Sequence, residues 1–495
     1  MAEQVKRSCG GSPFPQAPRC TLPPMPRTLA LLALSAVLAF AWWPATMVGR
    51  LGDDFEVLRS VTNRGPFGMW CGDATGLLRP LASASAWVDG RLGGASAAHA
   101  HSLVLYALCV GSVCLLARRL DIRHAPLAAL LFAALGSHAE PVAWLASRAD
   151  LLATTFVCGA LALLLVPGPA AMVGCFVAAA LALASKESAV CLPLVALALE
   201  IGFARPSLRT AGLAGLTGAW LVVRHTVLGT WVGGYGASAL PGPDLHTLTN
   251  LTRFVPAVFD LPVTWGVAAS TVIFAIAFAA PERRRAAALV AAFLLAALPV
   301  AGMGGTFEAG EGGRLHFLPG VFLCFGVATG VSALPWRAAR WATFAALILA
   351  EASQIRTHLS AWRAAGDVAE RYVARLSTLP RVPDVAVAAP AWIGPACALC
   401  TGADAAAALR LGDTRPGRIH AVALYRAHAA GCVPAAAEER ERVRLILPPC
   451  GTWEPSSESL EGVTLTQIDD HTLELRGTRP LYIEGESGFV AVLGR

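Results

Sequence analysis

The chain has 495 residues, of which 55% are hydrophobic and only 15% are charged, with a mean hydropathy of +0.57. A soluble protein carries roughly 25% charged residues, so the composition excludes an ordinary soluble enzyme and indicates a membrane protein. The formal net charge of +6 does not indicate a nucleic-acid partner, because the basic residues fall largely in short loops between apolar runs.

Residues 1–27 are rich in proline and basic residues without a periodic pattern, which predicts a disordered cytoplasmic tail. A membrane-spanning helix needs about 17–25 predominantly apolar residues, and residues 28–356 contain about eleven such runs. We therefore expect an all-α, multi-span membrane domain over 28–356. The runs lie near 28–49, 99–117, 125–139, 150–167, 169–185, 188–204, 210–228, 255–280, 286–302, 317–334 and 341–356.

Arginines occupy every second loop between these runs, for example Arg118-Arg119 and Arg283-Arg284-Arg285. The positive-inside rule assigns these loops and the N-terminus to the cytoplasm, so the chain is expected in a cell membrane such as the bacterial inner membrane. The remaining loops and everything after about residue 357 are then extracytoplasmic. These outer loops are 50–98, 138–149, 185–188, 229–254 and 303–316.

The sequence changes character after the last apolar run. Residues 357–380 have apolar side chains near one face, which predicts an amphipathic connecting helix. Residues 381–495 contain strand-like runs at 384–387, 443–447 and 472–475, separated by proline, glycine and aspartate. We expect a small extracytoplasmic domain of α/β or β-rich structure.

Cysteine usage agrees with this division. Four of the thirteen cysteines lie in the C-terminal domain: Cys397, Cys400, Cys432 and Cys450. One or two disulfides are expected there if the domain is extracytoplasmic, with a zinc site or free thiols as the alternatives. Six others lie inside predicted spans and are interpreted as small core residues. These six are Cys109, Cys114, Cys158, Cys175, Cys191 and Cys324.

Two adjacent carboxylates, Asp53 and Asp54, follow the first apolar run. A carboxylate beside an acceptor hydroxyl can take its proton, and a second carboxylate can tune the first or help to hold a divalent cation. The alternative is a pair of solvated charges ending the first helix. A helix C-terminus repels negative charge, and this disfavours that interpretation.

Two further groups of polar residues border predicted spans. His99, Ser102 and Tyr106 open the second span, either as site residues or as anchors at the headgroups. The stretch 137–152 follows the third run and contains His138, Glu140, Arg148 and Asp150. Ionisable groups between spans are rarely idle. The alternative is a structural pair of Arg148 with Asp150 or Glu140 that closes the loop.

Cations recur at the expected outer ends of spans. Lys186 stands beside Glu187, Arg224 precedes a glycine-rich run, and Arg314 precedes His316. A lysine can meet a phosphate as a point charge, and an arginine can bind it through two hydrogen bonds. The alternatives are a solvated turn at Lys186 and helix-end snorkelling of the two arginines.

Taken in order, these motifs resemble the GT-C membrane glycosyltransferases, which take sugars from polyprenyl-phosphate carriers. The similarity covers Gly52-Asp53-Asp54-Phe55, Leu78-Arg79-Pro80-Leu81, Lys186-Glu187, the R-x3-L-G-x3-G-G-Y-G run from Arg224 and the segment around Arg314. Residues 142–152 read V-A-W-x3-R-x-D-L-L and are similar to the branch of tetratricopeptide-containing protein O-mannosyltransferases. This chain departs from that branch at Leu135-Gly136, Ser102, Tyr106 and His316, and it has no tetratricopeptide array.

The resemblance implies an inverting glycosyltransferase with a polyprenyl- or dolichyl-phosphate sugar donor and an unassigned glycan, lipid or protein acceptor. It implies no cofactor, apart from a divalent cation as an alternative role for the aspartate pair. A transporter or lipid flippase and a catalytically inactive scaffold of the same fold are the competing interpretations. The implied catalytic residues are Asp53, Asp54 and Glu140; the donor-phosphate ligands are Arg224, Arg314, Lys186 and Arg148; and the pocket residues are Arg79, His99, His138, Asp150, Glu187 and His316.

Overall fold

The computed structural model describes two structural parts, a helical part up to Arg375 and a β-rich part from Val385 onward. The predicted tail 1–27, except its last residue, and the glycine run 233–236 lie outside the described residues. The described residues are 27–68, 76–203, 208–231, 242, 244–278, 282–304, 307, 310–411, 417–428, 431–439, 442–485 and 488–493.

The helical part is built from alanine- and leucine-rich segments, in which small residues let neighbouring helices pack closely. Each predicted apolar run falls at least partly on one of these helices. They are α1 (Arg27–Trp42), α2 (Asp53–Arg64), α3 (Pro80–Leu92), α4 (Gly94–Arg119), α5 (Ala125–Ala134), α6 (Ala139–Ala143), α7 (Arg148–Leu164), α8 (Pro169–Ser185), α9 (Leu192–Phe203), α10 (Arg209–Leu228), α11 (Leu245–Val258), α12 (Gly266–Phe278), α13 (Arg283–Ala297), α14 (Gly313–Ser332) and α15 (Arg337–Arg375).

Four of the described helical segments are long and apolar enough to cross a membrane: Gly94–Arg119, Leu145–Leu164, Arg209–Leu228 and Gly313–Ser332. Two bent pairs raise the number to six if each pair is one span. The chain therefore has the helices of an integral membrane protein. The expected count of eleven spans is not confirmed, because several apolar runs form helices shorter than the roughly 20 residues that cross a bilayer.

The stretch 138–149, expected as an outer loop, instead belongs to a broken helix packed inside the helical part. The segments Ala125–Ala134 and Gly136–Ala143 meet at a bend of 62°. Residues 136–144 are buried, and a Cβ on Gly313 would collide with the carbonyl oxygen of Ser137. Apolar neighbours such as Val142 and Ala143 draw this segment inward together with its charged residues.

The last helix, α15, is 39 residues long and joins the two parts. It runs without a break through the predicted final span and most of the expected connecting helix. Trp362 and Tyr372 are fully buried along it, and the Tyr372 hydroxyl donates to the carbonyl oxygen of Ala388 at 2.8 Å. The helix is therefore anchored directly on the β-rich part.

The C-terminal part is confirmed as β-rich. Its larger sheet has the order β10-β9-β1-β3-β6, with β1 parallel to both β3 and β9, and β2 pairs with β1; the second sheet has the order β4-β5-β8-β7. The described helix here is α16 (Ala403–Leu411). The strands are β1 (Val385–Ile393), β2 (Ala396–Cys397), β3 (Ile419–Ala427), β4 (Ala435–Glu439), β5 (Arg442–Ile446), β6 (Gly451–Glu454), β7 (Val463–Asp469), β8 (Thr472–Gly477), β9 (Pro480–Glu484) and β10 (Phe489–Leu493).

The cysteines behave as expected. Disulfides join Cys397 to Cys400 and Cys432 to Cys450. Of the three alternatives for these cysteines, the structure therefore has disulfides rather than a zinc site or free thiols. The six cysteines predicted to lie inside spans are free and buried or half-buried.

Candidate active site

A cavity of about 560 Å³ opens between the helical part and the β-rich part. This volume lies within the range of about 300–1,000 Å³ that small-molecule sites occupy. Seven of its described lining side chains are cationic and four are acidic, so cationic side chains are in excess on the cavity wall. The cationic residues are Arg59, Arg64, Arg79, Arg148, Lys186, Arg314 and Arg418, and the acidic residues are Asp53, Glu56, Asp150 and Asp404.

Asp53 and Asp54 occupy the first turn of α2, after the N-cap residue Gly52. The premise that the pair ends a helix was therefore wrong. The pair begins a helix, where the helix dipole favours negative charge. The two side chains diverge. Asp53 faces the large cavity and accepts a hydrogen bond from the hydroxyl of Thr401. Asp54 is 4% exposed and points away into the protein.

Asp54 connects two of the sequence motifs. Its Oδ2 accepts from the backbone N–H of Leu51 at 3.0 Å, and its Oδ1 accepts from the backbone N–H of Ala146 at 2.7 Å. Burial raises the pKa of Asp54 to about 7, and the neighbouring Asp53 adds to this rise, while the two backbone donors oppose it. Asp54 thus holds the start of α2 against the segment that contains Trp144 and Arg148.

The raised pKa of Asp54 predicts a pH-dependent contribution to stability. Between its ordinary pKa of 3.8 and about 7, the folded protein holds a proton that the unfolded chain has lost. Stability from this group is therefore greatest at low pH and falls as pH rises through that window, by roughly 1.4 kcal/mol per pH unit at most. Thermal unfolding in detergent should show this as a midpoint of wild type, relative to that of Asp54→Asn, that falls steadily from pH 4 to pH 7.

The matched control for Asp54 is Asp367→Asn, which removes a carboxylate that is 62% exposed. Its midpoint difference from wild type should not follow the pH dependence seen with Asp54→Asn. A wild-type advantage over Asp54→Asn that stays constant across this pH range would contradict the assignment of a buried, protonated Asp54.

Arg148 is 2% exposed and is engaged by the protein on each guanidinium nitrogen. Nη1 donates to Asp89 and to Ser85 at 3.2 Å, Nη2 donates to the carbonyl oxygen of Ala98 at 2.8 Å, and Nε donates to Ser102 at 3.1 Å. Arg148 therefore ties together α3, α4 and α7. Its ionic partner is Asp89, which the sequence analysis did not consider, rather than Asp150 or Glu140.

Two more ion pairs stand at the cavity wall, which Lys186, Asp150 and Arg79 line and Glu187 does not. The Lys186 ammonium donates to both carboxylate oxygens of Asp150, at 2.6 and 2.7 Å, and both side chains are nearly buried. Arg79 donates to Glu187 through Nε and Nη2 at 2.9–3.3 Å. Burial raises the pKa of Glu187, but Arg79, a backbone hydrogen bond and Lys186 together lower the pKa below its usual value. Four residues from three distant motifs thus meet as two pairs.

Arg314 opens α14 and reaches the cavity beside Glu140. Its backbone N–H donates to Glu140 Oε2 at 3.0 Å, and its guanidinium lies 3.4 Å from Oε1. The guanidinium also lies over the ring of Trp144, 4.8 Å from the centroid. A quarter of the Arg314 side chain remains exposed, so Glu140 orients a cation that faces the cavity. Glu140 itself does not line the cavity.

Four other predicted residues lie outside the described cavity wall: Arg224, His99, His138 and His316. Arg224 donates to the carbonyl oxygen of Trp231 at 2.8 Å, at the end of its own helix. His99 and His316 are buried, and His138 pairs with the Tyr106 hydroxyl at 2.8 Å among aromatic rings. These three histidines pack within the helical core.

Sequence reasoning missed the residues that the C-terminal part brings to the cavity. Thr401, Asp404 and Arg418 line it, and Asp404 pairs with Arg59 of α2 at 2.8 Å. No local motif marks these residues, because their role depends on contacts across more than 300 positions of sequence. Sequence reasoning also missed Glu351, a buried carboxylate within the predicted span 341–356.

The aspartate pair is not arranged to share a metal ion. Asp53 and Asp54 point into different spaces, and both oxygens of Asp54 accept backbone hydrogen bonds. Within the described ranges, no group of three or more histidine, cysteine, aspartate or glutamate side chains is placed to hold a metal ion. We therefore derive no step through a divalent cation.

Comparisons with known proteins found no match in sequence and a low similarity to two solved structures. No protein-family model and no curated protein matches the sequence. The crystal structure of ArnT from Cupriavidus metallidurans bound to undecaprenyl phosphate is 12% identical, with a TM-score of 0.45, over 91% of this chain and 98% of that one. The same protein in its apo state is 15% identical, with a TM-score of 0.43, over 81% and 93%. At these values the similarity assigns no function to this chain.

Proposed function

We propose that this protein is a GT-C-type membrane glycosyltransferase that moves a sugar from a polyprenyl-phosphate donor to an acceptor hydroxyl on the extracytoplasmic face. The observation that carries the proposal is the convergence of Asp53, Lys186 and Arg314, from three separate motifs, on one cavity with an excess of cationic side chains. A carboxylate and two cations match the needs of a reaction that removes a proton and releases a phosphate.

In the proposed reaction, the acceptor oxygen attacks the anomeric carbon of the donor sugar. The proton of the acceptor hydroxyl passes to the carboxylate of Asp53 as the new bond forms. The bond between the anomeric carbon and the phosphate oxygen breaks, and polyprenyl phosphate leaves with the electron pair. A single displacement of this kind inverts the anomeric centre.

Arg314 and Lys186 stabilise the leaving phosphate in this scheme. Both residues line the cavity, and the acidic partners Glu140 and Asp150 fix their positions. An ammonium has three N–H donors, and Asp150 uses two of those on Lys186. Arg148 is better suited to holding the helices, because all three of its guanidinium nitrogens donate within the protein.

The proposal is tested with protein purified in detergent and a panel of polyprenyl phosphates carrying radiolabelled sugars, with native membrane lipids and glycans as the acceptor source. We expect labelled product and release of polyprenyl phosphate that depend on the protein. We also expect the donor to raise the unfolding temperature, because a ligand that binds only the folded state stabilises it. Neither turnover nor stabilisation with any donor would overturn the proposal.

Arg314→Ala is expected to raise the donor KM by roughly 10- to 150-fold, since a hydrogen bond to a charged group contributes about 1.5–3 kcal/mol. The acceptor KM should change much less. Arg224→Ala is the matched control, because Arg224 is a buried arginine of a neighbouring part of the fold that does not line the described cavity. A larger donor effect at Arg224 than at Arg314 would move the phosphate site toward α10.

A further inference from the structure

A disulfide-closed turn of the β-rich part lies directly on the start of α2. The bridge joins Cys397 and Cys400, and the two residues between them, Ala398 and Leu399, are fully buried. The backbone N–H groups of these two residues donate to Ala391 and Pro390 of β1 at 2.9 and 3.0 Å. The turn is therefore fixed both by its own covalent closure and by the central strand of the larger sheet.

The turn leaves no room for a side chain at Gly52. The backbone N–H of Gly52 donates to the carbonyl oxygen of Ala398 at 2.7 Å. Gly52 has φ of +28°, and a Cβ there would lie 2.5 Å from the Cys397 sulfur. Gly402 has φ of +80° and packs its backbone against Gly52 in the same way. Two glycines thus permit the main chains of the two parts to meet immediately before Asp53.

The residue after the bridge contacts the proposed base. The hydroxyl of Thr401 donates to Oδ1 of Asp53. One turn further into the β-rich part, Asp404 pairs with Arg59 at 2.8 Å and accepts from the backbone N–H of Ile419 at 3.0 Å. The first two turns of α2 are therefore held by the β-rich part at the backbone, at the carboxylate and at an ion pair.

We propose that the turn 397–402 positions the catalytic carboxylate, with Thr401 as a positioning residue that holds Asp53 in its reactive orientation. This inference rests on the proposed function, in which Asp53 is the general base. Thr401 does not touch the reacting atoms. Its hydroxyl fixes the orientation of a carboxylate that must meet an acceptor proton within hydrogen-bond reach.

The position of Thr401 predicts a specific kinetic result. Thr401→Val keeps the shape and removes the hydroxyl, and we expect kcat to fall by about 10-fold or more with the donor KM nearly unchanged. Thr401→Ser keeps the hydroxyl and should retain most of the wild-type kcat. Equal kcat in wild type and Thr401→Val would overturn the inference, as would an equal loss in the serine and valine variants.

The disulfide itself is tested with a matched pair of double variants. Cys397→Ser/Cys400→Ser opens the turn beside Asp53, whereas Cys432→Ser/Cys450→Ser opens the second bridge of the same part, which does not line the cavity. We expect the first to lower kcat by at least 10-fold relative to the second, at equal yields of folded protein. A second double variant as impaired as the first would show a general need for disulfides and overturn the positioning role.

Two further readouts separate this inference from the proposed function. Stabilisation of the protein by polyprenyl-phosphate sugar should be the same in wild type, Thr401→Val and Thr401→Ser, because the donor phosphate binds elsewhere in the cavity. If wild type shows neither turnover nor donor stabilisation, the proposed function fails. If wild type turns over and Thr401→Val matches it, only the inference about Thr401 fails. The threonine variants decide the matter even if the cysteine variants fold poorly.

Discussion

Replacing Asp53 with Asn is expected to lower the kcat of sugar transfer by about 10²–10⁴, with no loss of folded protein from the membrane. Asp53 faces the cavity, and the described partner of its carboxylate is the neutral hydroxyl of Thr401. Asp150 and Asp404 also line the cavity, but they are held in ion pairs of 2.6 and 2.8 Å. A carboxylate held by a cation is less available to an acceptor hydroxyl, so Asp53 is the better candidate.

Glu56→Gln is the matched control for this experiment. Glu56 lies three residues further along α2 and faces the same cavity, and burial raises its pKa. We expect Glu56→Gln to keep kcat within a few-fold of wild type. Rates should be compared under saturating donor, together with unfolding temperatures of both variants. Near-normal turnover in Asp53→Asn combined with a large loss in Glu56→Gln would place the base one turn further along the helix.

The sequence was sufficient to predict much of the architecture, because the relevant signals are local. Long apolar runs predict helices, and strand-like runs separated by proline, glycine and aspartate predict the strands that became β1, β5 and β8. The four cysteines of the C-terminal part led to the expectation of one or two disulfides there, and the structure contains two. The sequence also singled out Asp53, Lys186 and Arg314, which line the cavity, because charges at the ends of apolar runs are conspicuous.

The remaining features depend on contacts that no local pattern encodes. Asp89 is an unremarkable residue of α3 in the sequence, yet it forms the ion pair of the buried Arg148. The approach of Thr401 to Asp53 requires the β-rich part to sit on α2, 348 positions away. The bend at Gly136 turns an apparent loop into a buried segment, and hydropathy averaged along the chain does not register such a bend.

Lys186→Met is expected to destabilise the folded protein by about 3–5 kcal/mol, because it leaves the buried carboxylate of Asp150 without its cation. The Lys186 and Asp150 side chains are only 5% and 7% exposed, and two hydrogen bonds join them. Asp150→Leu should be similarly harmful, since it leaves a buried ammonium. Unfolding temperature and the yield of monodisperse protein in detergent measure both effects.

The double variant Lys186→Met/Asp150→Leu separates a structural role of this pair from a role in donor binding. Replacing both ions with apolar groups removes the unpaired charge, so much of the lost stability should return. If Lys186 also contacts the donor phosphate, the double variant will fold but keep a raised donor KM, and donor will stabilise it less than wild type. We expect this combination, because Lys186 lines the same cavity as Arg314. A double variant with restored stability and an unchanged donor KM would assign the pair to structure alone and leave Arg314 as the phosphate ligand.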